Sequence, residues 1–157
     1  MGRVRAAVAA VSDPEVPVLT IDDLGVLRSV EEADGRILVT ITPTYSGCPA
    51  MQFIEDRIIE AVLDAGFEGE VRTVFSPAWT TDWMSDDGRR KLREYGIAPP
   101  NPVGSADETV LTIRAVVRCP RCDSADTKPV SEFGSTACKA LYQCNDCHEP
   151  FDYFKEL

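Results

Sequence analysis

The chain has 157 residues, 44% of them hydrophobic and 27% charged, and a formal net charge of -10. That composition suits a soluble globular protein of one domain, or one domain with a small satellite. No apolar run approaches the ~20 residues that a membrane-spanning helix needs. The negative charge argues against nucleic acid, since phosphate binding depends on Lys and Arg displacing counterions.

The charge is uneven. Residues 1–96 carry 10 basic and 17 acidic side chains, and residues 110–157 carry 6 and 7. An acidic body with a near-neutral tail fits a protein or metal partner better than RNA.

In chain order, Arg3 to Val11 places Val4, Ala7, Val8 and Val11 at helical spacing, and the run ends at Ser12-Asp13-Pro14 because the residue before proline is pushed out of the α region. The two arginines and the alanine-valine run look like the start of a secretory signal. Asp13 and Glu15 follow at once, however, with no cleavage site, so the segment reads as an amphipathic helix and the protein as cytoplasmic. Asp13 to Gly25 reads as an acidic loop tied to the core by Val18, Leu19 and Ile21. Asp13 and Glu15 are alternatively acceptors at a site.

Val26–Val30 and Ile37–Ile41 alternate as strands, joined by a turn at Asp34-Gly35, where both residue types tolerate positive φ. From Pro49 to Ala65, Met51, Ile54, Ile58, Ala61, Val62 and Ala65 recur at spacings of three and four, which predicts a helix stopped by Gly66. Pro49 would be its first residue. Cys48 would then face unpaired N–H groups and the positive end of the helix dipole, both of which favour a reactive, metal-binding thiolate. A small buried cysteine without chemistry is the plainer reading.

Glu70–Phe75 gives a third strand, so the expected body is α+β, a small mixed sheet with helices on one face. Trp79 and Trp83 would share one face of a helical turn, either closing the domain or forming a docking surface. A helix over Asp86–Tyr95 precedes the proline-rich stretch Ile97 to Asp107. The chain accordingly divides into residues 1–96, a linker over 97–109 and a tail over 110–157.

Five of the six cysteines lie in that tail. Cys119-Pro120-Arg121-Cys122 and Cys144-Asn145-Asp146-Cys147 are two turns that can place four thiolates on one metal. Alternating Val110–Val117 and the aromatics of Phe151 to Phe154 suggest a zinc-ribbon-like β domain. A tail this small would draw much of its folding free energy from metal. Zinc is the default ion, with a single iron or an iron–sulfur cluster as alternatives. Cys138 is a spare thiol or an auxiliary ligand. His148 completes a c-type haem pattern, but a second C-x-x-C competes for those thiols, and His148 reads as an auxiliary or surface group.

The run from Asp13-Pro14-Glu15-Val16-Pro17 to Leu24-Gly25, followed by Thr42-Pro43-Thr44-Tyr45-Ser46-Gly47-Cys48-Pro49, resembles the MIP18-like family of metal–sulfur cluster assembly factors. Ser76 to Trp83, Tyr95 to Pro100 and Phe133 to Lys139 are similar to the PaaD-type family of bacterial phenylacetyl-CoA ring-1,2-epoxidase systems. The resemblance implies an accessory factor in aerobic phenylacetate catabolism. It also implies an assembly-factor site at Asp13, Glu15, Thr44 and Cys48, and a metal site at Cys119, Cys122, Cys144 and Cys147.

The implied partners are the iron–sulfur reductase or di-iron oxygenase subunits and the iron–sulfur assembly machinery, with self-association left open and neither nucleic acid nor membrane expected. A rubredoxin-like electron carrier is the alternative. No catalytic constellation of an enzyme is evident.

Overall fold

The computed structural model describes residues 1–103 and 116–157. The chain falls into two compact units, Met1–Gly88 and Arg89–Leu157. Most of the expected strand Val110–Val117 and of the linker's second half lies outside the described residues.

In the first unit, α1 (Gly2–Ala9) is followed by a loop, then β1 (Leu27–Ala33), β2 (Arg36–Ile41), α2 (Met51–Asp64) and β3 (Gly69–Thr73). β1 and β2 form the expected hairpin, with Asp34 at φ 54 and Gly35 at φ 78 in its turn. β2 pairs parallel with β3. A parallel pair needs a crossover, and α2 supplies it. Ile37, Val39 and Ile41 of β2 are fully buried on one sheet face. From the helices, Val4, Val8, Ile54, Ile58 and Val62 are equally buried, which is the helical spacing expressed as a core stripe. A Cβ at Gly69 would lie 2.8 Å from the Val62 side chain, so only glycine lets β3 begin this close to α2.

α2 starts at Met51, not at Pro49. Pro49 sits in a turn closed by the Met51 N–H donating to the Cys48 carbonyl at 3.3 Å, and the first helical bond of the run is from Ile54 N–H to the Ala50 carbonyl at 3.0 Å. The apolar period could not reveal this entry turn, because Cys48 to Ala50 carry no periodic signal of their own.

Trp79 and Trp83 do not share a helical face. Trp79 precedes a short 3-10 turn, Thr81–Trp83, whose cap is Thr80. The Trp79 ring is buried, with its indole N–H donating to the Leu24 carbonyl at 2.9 Å. Burial and this bond give Trp79 the domain-closing place that was one of its two expected roles. Trp83 is half-buried beneath the Arg28 guanidinium, 3.9 Å from the ring centroid.

In the second unit, the latter half of α3 (Asp86–Tyr95) leads through Gly96 into β4 (Ile97–Ala98), followed by β5 (Thr127–Ser131), β6 (Lys139–Cys144) and β7 (Pro150–Phe154) in the order β4-β7-β6-β5. Ile97 and Ala98, read from the sequence as the start of the linker, are instead a buried strand parallel to β7. Two apolar residues are too few to display a period. The core of this unit is Ala98, Val117, Cys119, Ala140, Cys144, Phe151 and Tyr153, with Tyr142 packed edge-on to Tyr153 at 5.4 Å. Among the described residues, no helix is long and apolar enough to cross a membrane.

Candidate functional site

The four tail cysteines meet. Their sulfurs all lie within 4.8 Å of one another. The Cys119–Cys147 and Cys122–Cys144 sulfurs are 3.7 and 3.5 Å apart. A tetrahedral centre with metal–sulfur bonds of about 2.3 Å has edges of about 3.8 Å, so these thiols stand at metal-ligand spacing and far from the ~2 Å of a disulfide.

Each pair sits on a turn built in the same way. Cys119 N–H donates to the Ser124 carbonyl at 2.9 Å, and Cys144 N–H to the Glu149 carbonyl at 3.0 Å. Asp123 and His148, the residues after each second cysteine, both take left-handed φ, at 65 and 63. Backbone N–H groups point at sulfur in both turns, from Arg121 to Cys119 at 3.4 Å and from Cys147 to Cys144 at 3.5 Å. Donation from Cys147 N–H is the largest influence on Cys144 and pulls its thiol down to about 7. The two turns are clasped by Asn145 Nδ2 on Asp126 at 2.7 Å and by Ser124 Oγ on the Asp146 carboxylate.

Cys119 and Cys144 are buried, whereas Cys122 and Cys147 are exposed. An all-thiolate donor set in this geometry fits zinc or iron and indicates metal binding. Cys138 and His148 are not part of the cluster. Cys138 is buried and contacts the Thr136 hydroxyl at 3.0 Å, and His148 is an exposed turn residue.

A second group forms around Cys48 in the first unit. The Asp13 N–H donates to the Leu19 carbonyl at 2.9 Å, closing the acidic loop on itself. Asp13 Oδ1 accepts from the backbone N–H of Glu15 at 2.7 Å and of Val16 at 2.9 Å, so this nearly buried carboxylate builds the loop as well as charging it. The half-buried Cys48 feels that loop directly. Desolvation is the largest influence and pushes its thiol up, the Ala50 N–H pulls it down, the charges of Glu15 and Asp13 push it up again, and the Thr44 hydroxyl pulls it down. Asp13 and Glu15 from one motif and Thr44 from the other therefore all bear on the Cys48 sulfur.

The net direction corrects one expectation. Cys48 does not have a depressed pKa: its thiol is raised above the ordinary value. Donation at the helix entry is present, but burial and two carboxylates outweigh it.

Sequence reading passed over Asp23. Its carboxylate accepts from Thr20 N–H at 3.0 Å while its N–H donates to Thr20 Oγ1 at 3.1 Å, and its carbonyl accepts from Ser85 N–H at 2.8 Å. The reciprocal Thr20-x-x-Asp23 spacing was the available signal. Thr42, which opens the Cys48 segment, has a buried hydroxyl with no hydrogen-bond partner among the described residues.

Comparison with known proteins places the two halves separately. The family model for an iron–sulfur cluster assembly protein matches residues 2–74, and that for a PaaD zinc β-ribbon domain matches residues 104–155. A protein of Escherichia coli (strain K12), provisionally named as the D component of 1,2-phenylacetyl-CoA epoxidase, is 50% identical over 151 residues, covering 96% of this chain and 89% of its own. A protein of Porphyromonas gingivalis (strain W83) named as an Fe-S protein maturation auxiliary factor is 39% identical over 85 residues, covering 52% of this chain and 80% of its own. The crystal structure of a DUF59 domain of unknown function from Bacillus anthracis aligns with TM-score 0.54 at 27% identity, over 58% of this chain and 89% of that one.

Proposed function

The chain belongs to the PaaD family of phenylacetyl-CoA epoxidase components, an iron–sulfur assembly domain followed by a zinc β-ribbon, and on that premise we propose that it is a maturation factor handling iron or an iron–sulfur cluster at Cys48 for another component of such an epoxidase. Its role is accessory and lies in iron–sulfur or metal handling. The observation that supports the finer reading is the convergence of Glu15, Asp13 and Thr44 on the Cys48 sulfur.

Two carboxylates beside a thiol hold the proton on the sulfur while the site is empty of cations. An incoming iron cation reverses the balance, because the same carboxylates then attract the metal and favour loss of the proton. The arrangement suits a thiol that engages its cargo only on arrival, whereas a permanently ionised nucleophile would sit beside cations. Cytoplasmic clients follow from this reading, either the iron–sulfur reductase or the di-iron oxygenase, with the assembly machinery as donor.

We propose zinc for the four-cysteine centre, where Cys119, Cys122, Cys144 and Cys147 would hold it and it would supply folding free energy to a small β unit. A second reading, an iron centre that transfers electrons, is favoured by the exposure of Cys122 and Cys147. Metal analysis and an absorption spectrum of anaerobically purified protein decide between the two. Stoichiometric zinc without visible absorption disposes of the carrier, and a thiolate-to-iron band that bleaches reversibly on reduction supports it.

The maturation reading is tested with Cys48→Ser in cells that depend on the epoxidase. The expected result is a client protein with less iron or cluster than in wild-type cells, and ribbon metal retained. Normal client loading would end the proposal for Cys48.

A further inference from the structure

We propose that Arg93 of α3 is a positioning residue for the four-cysteine centre, acting through Asp123. Residues 75–103 lie between the two family matches, which end at 74 and begin at 104. Yet Arg89 onward is part of the metal-binding unit: Ile97 and Ala98 pair with β7, Ala98 joins the core, and the Arg89 guanidinium donates to the Pro100 carbonyl at 2.5 Å. Within that unit the Arg93 guanidinium forms an ion pair with the Asp123 carboxylate.

Asp123 is a sensitive place for such a contact. It follows Cys122 directly, takes left-handed φ of 65, and donates its N–H to the Cys119 carbonyl at 2.9 Å. The turn that carries Cys119 and Cys122 is therefore closed at Asp123. The two metal turns are otherwise built alike. The residue before each first cysteine reaches over to the carbonyl of the left-handed residue, Arg118 to Asp123 at 3.0 Å and Gln143 to His148 at 3.3 Å.

The difference lies in α3. Arg93 holds Asp123 by its side chain, and the Arg121 guanidinium lies over Gly96, 3.5 Å from where a Cβ would be. Among the described residues no ion pair braces His148 in the same way. Gly96 stands at φ 95, so a side chain there would meet both backbone strain and the guanidinium.

The charges agree with the geometry. Four thiolates around a divalent ion leave a centre of charge -2, and the Asp123 carboxylate beside Cys122 would add to it. Pairing with Arg93 cancels that added charge and fixes the turn in one step. Both side chains of the pair are substantially exposed, so the effect of its removal on metal retention is expected to be modest, about a few-fold.

The experiment uses the full-length zinc-loaded protein and a chromogenic chelator, 4-(2-pyridylazo)resorcinol, following the rate and midpoint of zinc release. Arg93→Ala is expected to release zinc about 3-fold more readily than wild type. Arg90→Ala removes an ion pair with Glu94 on the same helix, at 2.8 Å, and is expected to match wild type. Arg93→Lys keeps the charge without the planar fork and is expected to recover part of the loss. Asp123→Asn tolerates left-handed φ, and combining it with Arg93→Ala is expected to add no further loss. In the cobalt-substituted protein, Arg93→Ala is expected to shift the thiolate-to-metal absorption, which a general loss of helix stability would not do. Equal zinc release from Arg93→Ala and Arg90→Ala, or an unshifted cobalt spectrum, overturns the proposal. The inference rests on the metal-binding reading of the four cysteines, and failure of that reading would appear separately, as wild-type protein that retains no zinc at all.

Discussion

The negative charge of Glu15 reaches the Cys48 sulfur from a different loop and opposes its ionisation, adding to the larger effect of desolvation. The thiol is therefore protonated at neutral pH more fully than an unhindered cysteine, whose pKa is about 8.5. Since only the thiolate is alkylated, the rate of Cys48 modification by iodoacetamide is expected to keep climbing with pH beyond that value. Glu15→Gln removes one raising charge and is expected to increase the rate at about pH 7.5. A rate that levels off below about pH 8 in the wild-type protein would contradict the raised pKa. The measurement is mass spectrometry of the Cys48 peptide against time at a series of pH values.

Asp13 is expected to be a framework residue as well as a charge. Its Oδ1 accepts two backbone N–H bonds inside a nearly buried loop. Asp13→Ala strands those donors and is expected to cost about 1–3 kcal/mol in urea denaturation. Asp13→Asn retains an acceptor and is expected to cost less while still changing the charge near Cys48. The pair of variants thereby separates the loop's architecture from its electrostatics.

Trp79→Phe keeps most of the buried ring and loses the indole hydrogen bond to Leu24, an expected loss of about 1–2 kcal/mol in the same assay. Gly25→Ala is expected to be at least as harmful, because Gly25 has φ 71 and a Cβ would lie 2.5 Å from the Trp83 carbonyl oxygen. If Trp79→Phe were neutral in stability and weakened binding of a client, the ring would be a contact residue after all.

Cys119→Ser, like chelation of the wild-type protein, is expected to unravel β5, β6 and β7 while α2 and β1 to β3 stay folded. Cys119 and Cys144 are at once candidate metal ligands and members of that unit's apolar core, so loss of a bound metal would also loosen the packing. Hydrogen exchange resolved by peptide checks this. Protection should fall across Lys139–Phe154 and hold across Ile54–Val62.

Much of the architecture was legible because the signals were local. The spacing of Ile54, Ile58 and Val62, the Asp34-Gly35 turn and the two C-x-x-C turns each depend on residues a few positions apart. Legibility failed where the deciding partner lay far along the chain. Trp79 and Trp83 looked like one face of a helical turn, whereas Trp79 precedes a 3-10 turn and is anchored by Leu24, 55 residues away. Ile97 and Ala98 looked like linker until β7 was found beside them, and Cys48 looked acidic until burial and the acidic loop were placed next to it.

The sequence by itself determined the composition of both sites: four thiolates paired by short turns, and a lone cysteine with two carboxylates and a threonine in separate motifs. Covalent spacing brings Cys119 within reach of Cys122 and Cys144 within reach of Cys147, so each half of that centre is written locally, while the fold brings the halves together. Only the tertiary structure decided the state of Cys48. Ionisation of a thiol depends on desolvation and on charges a few ångströms away, and neither can be counted along a chain.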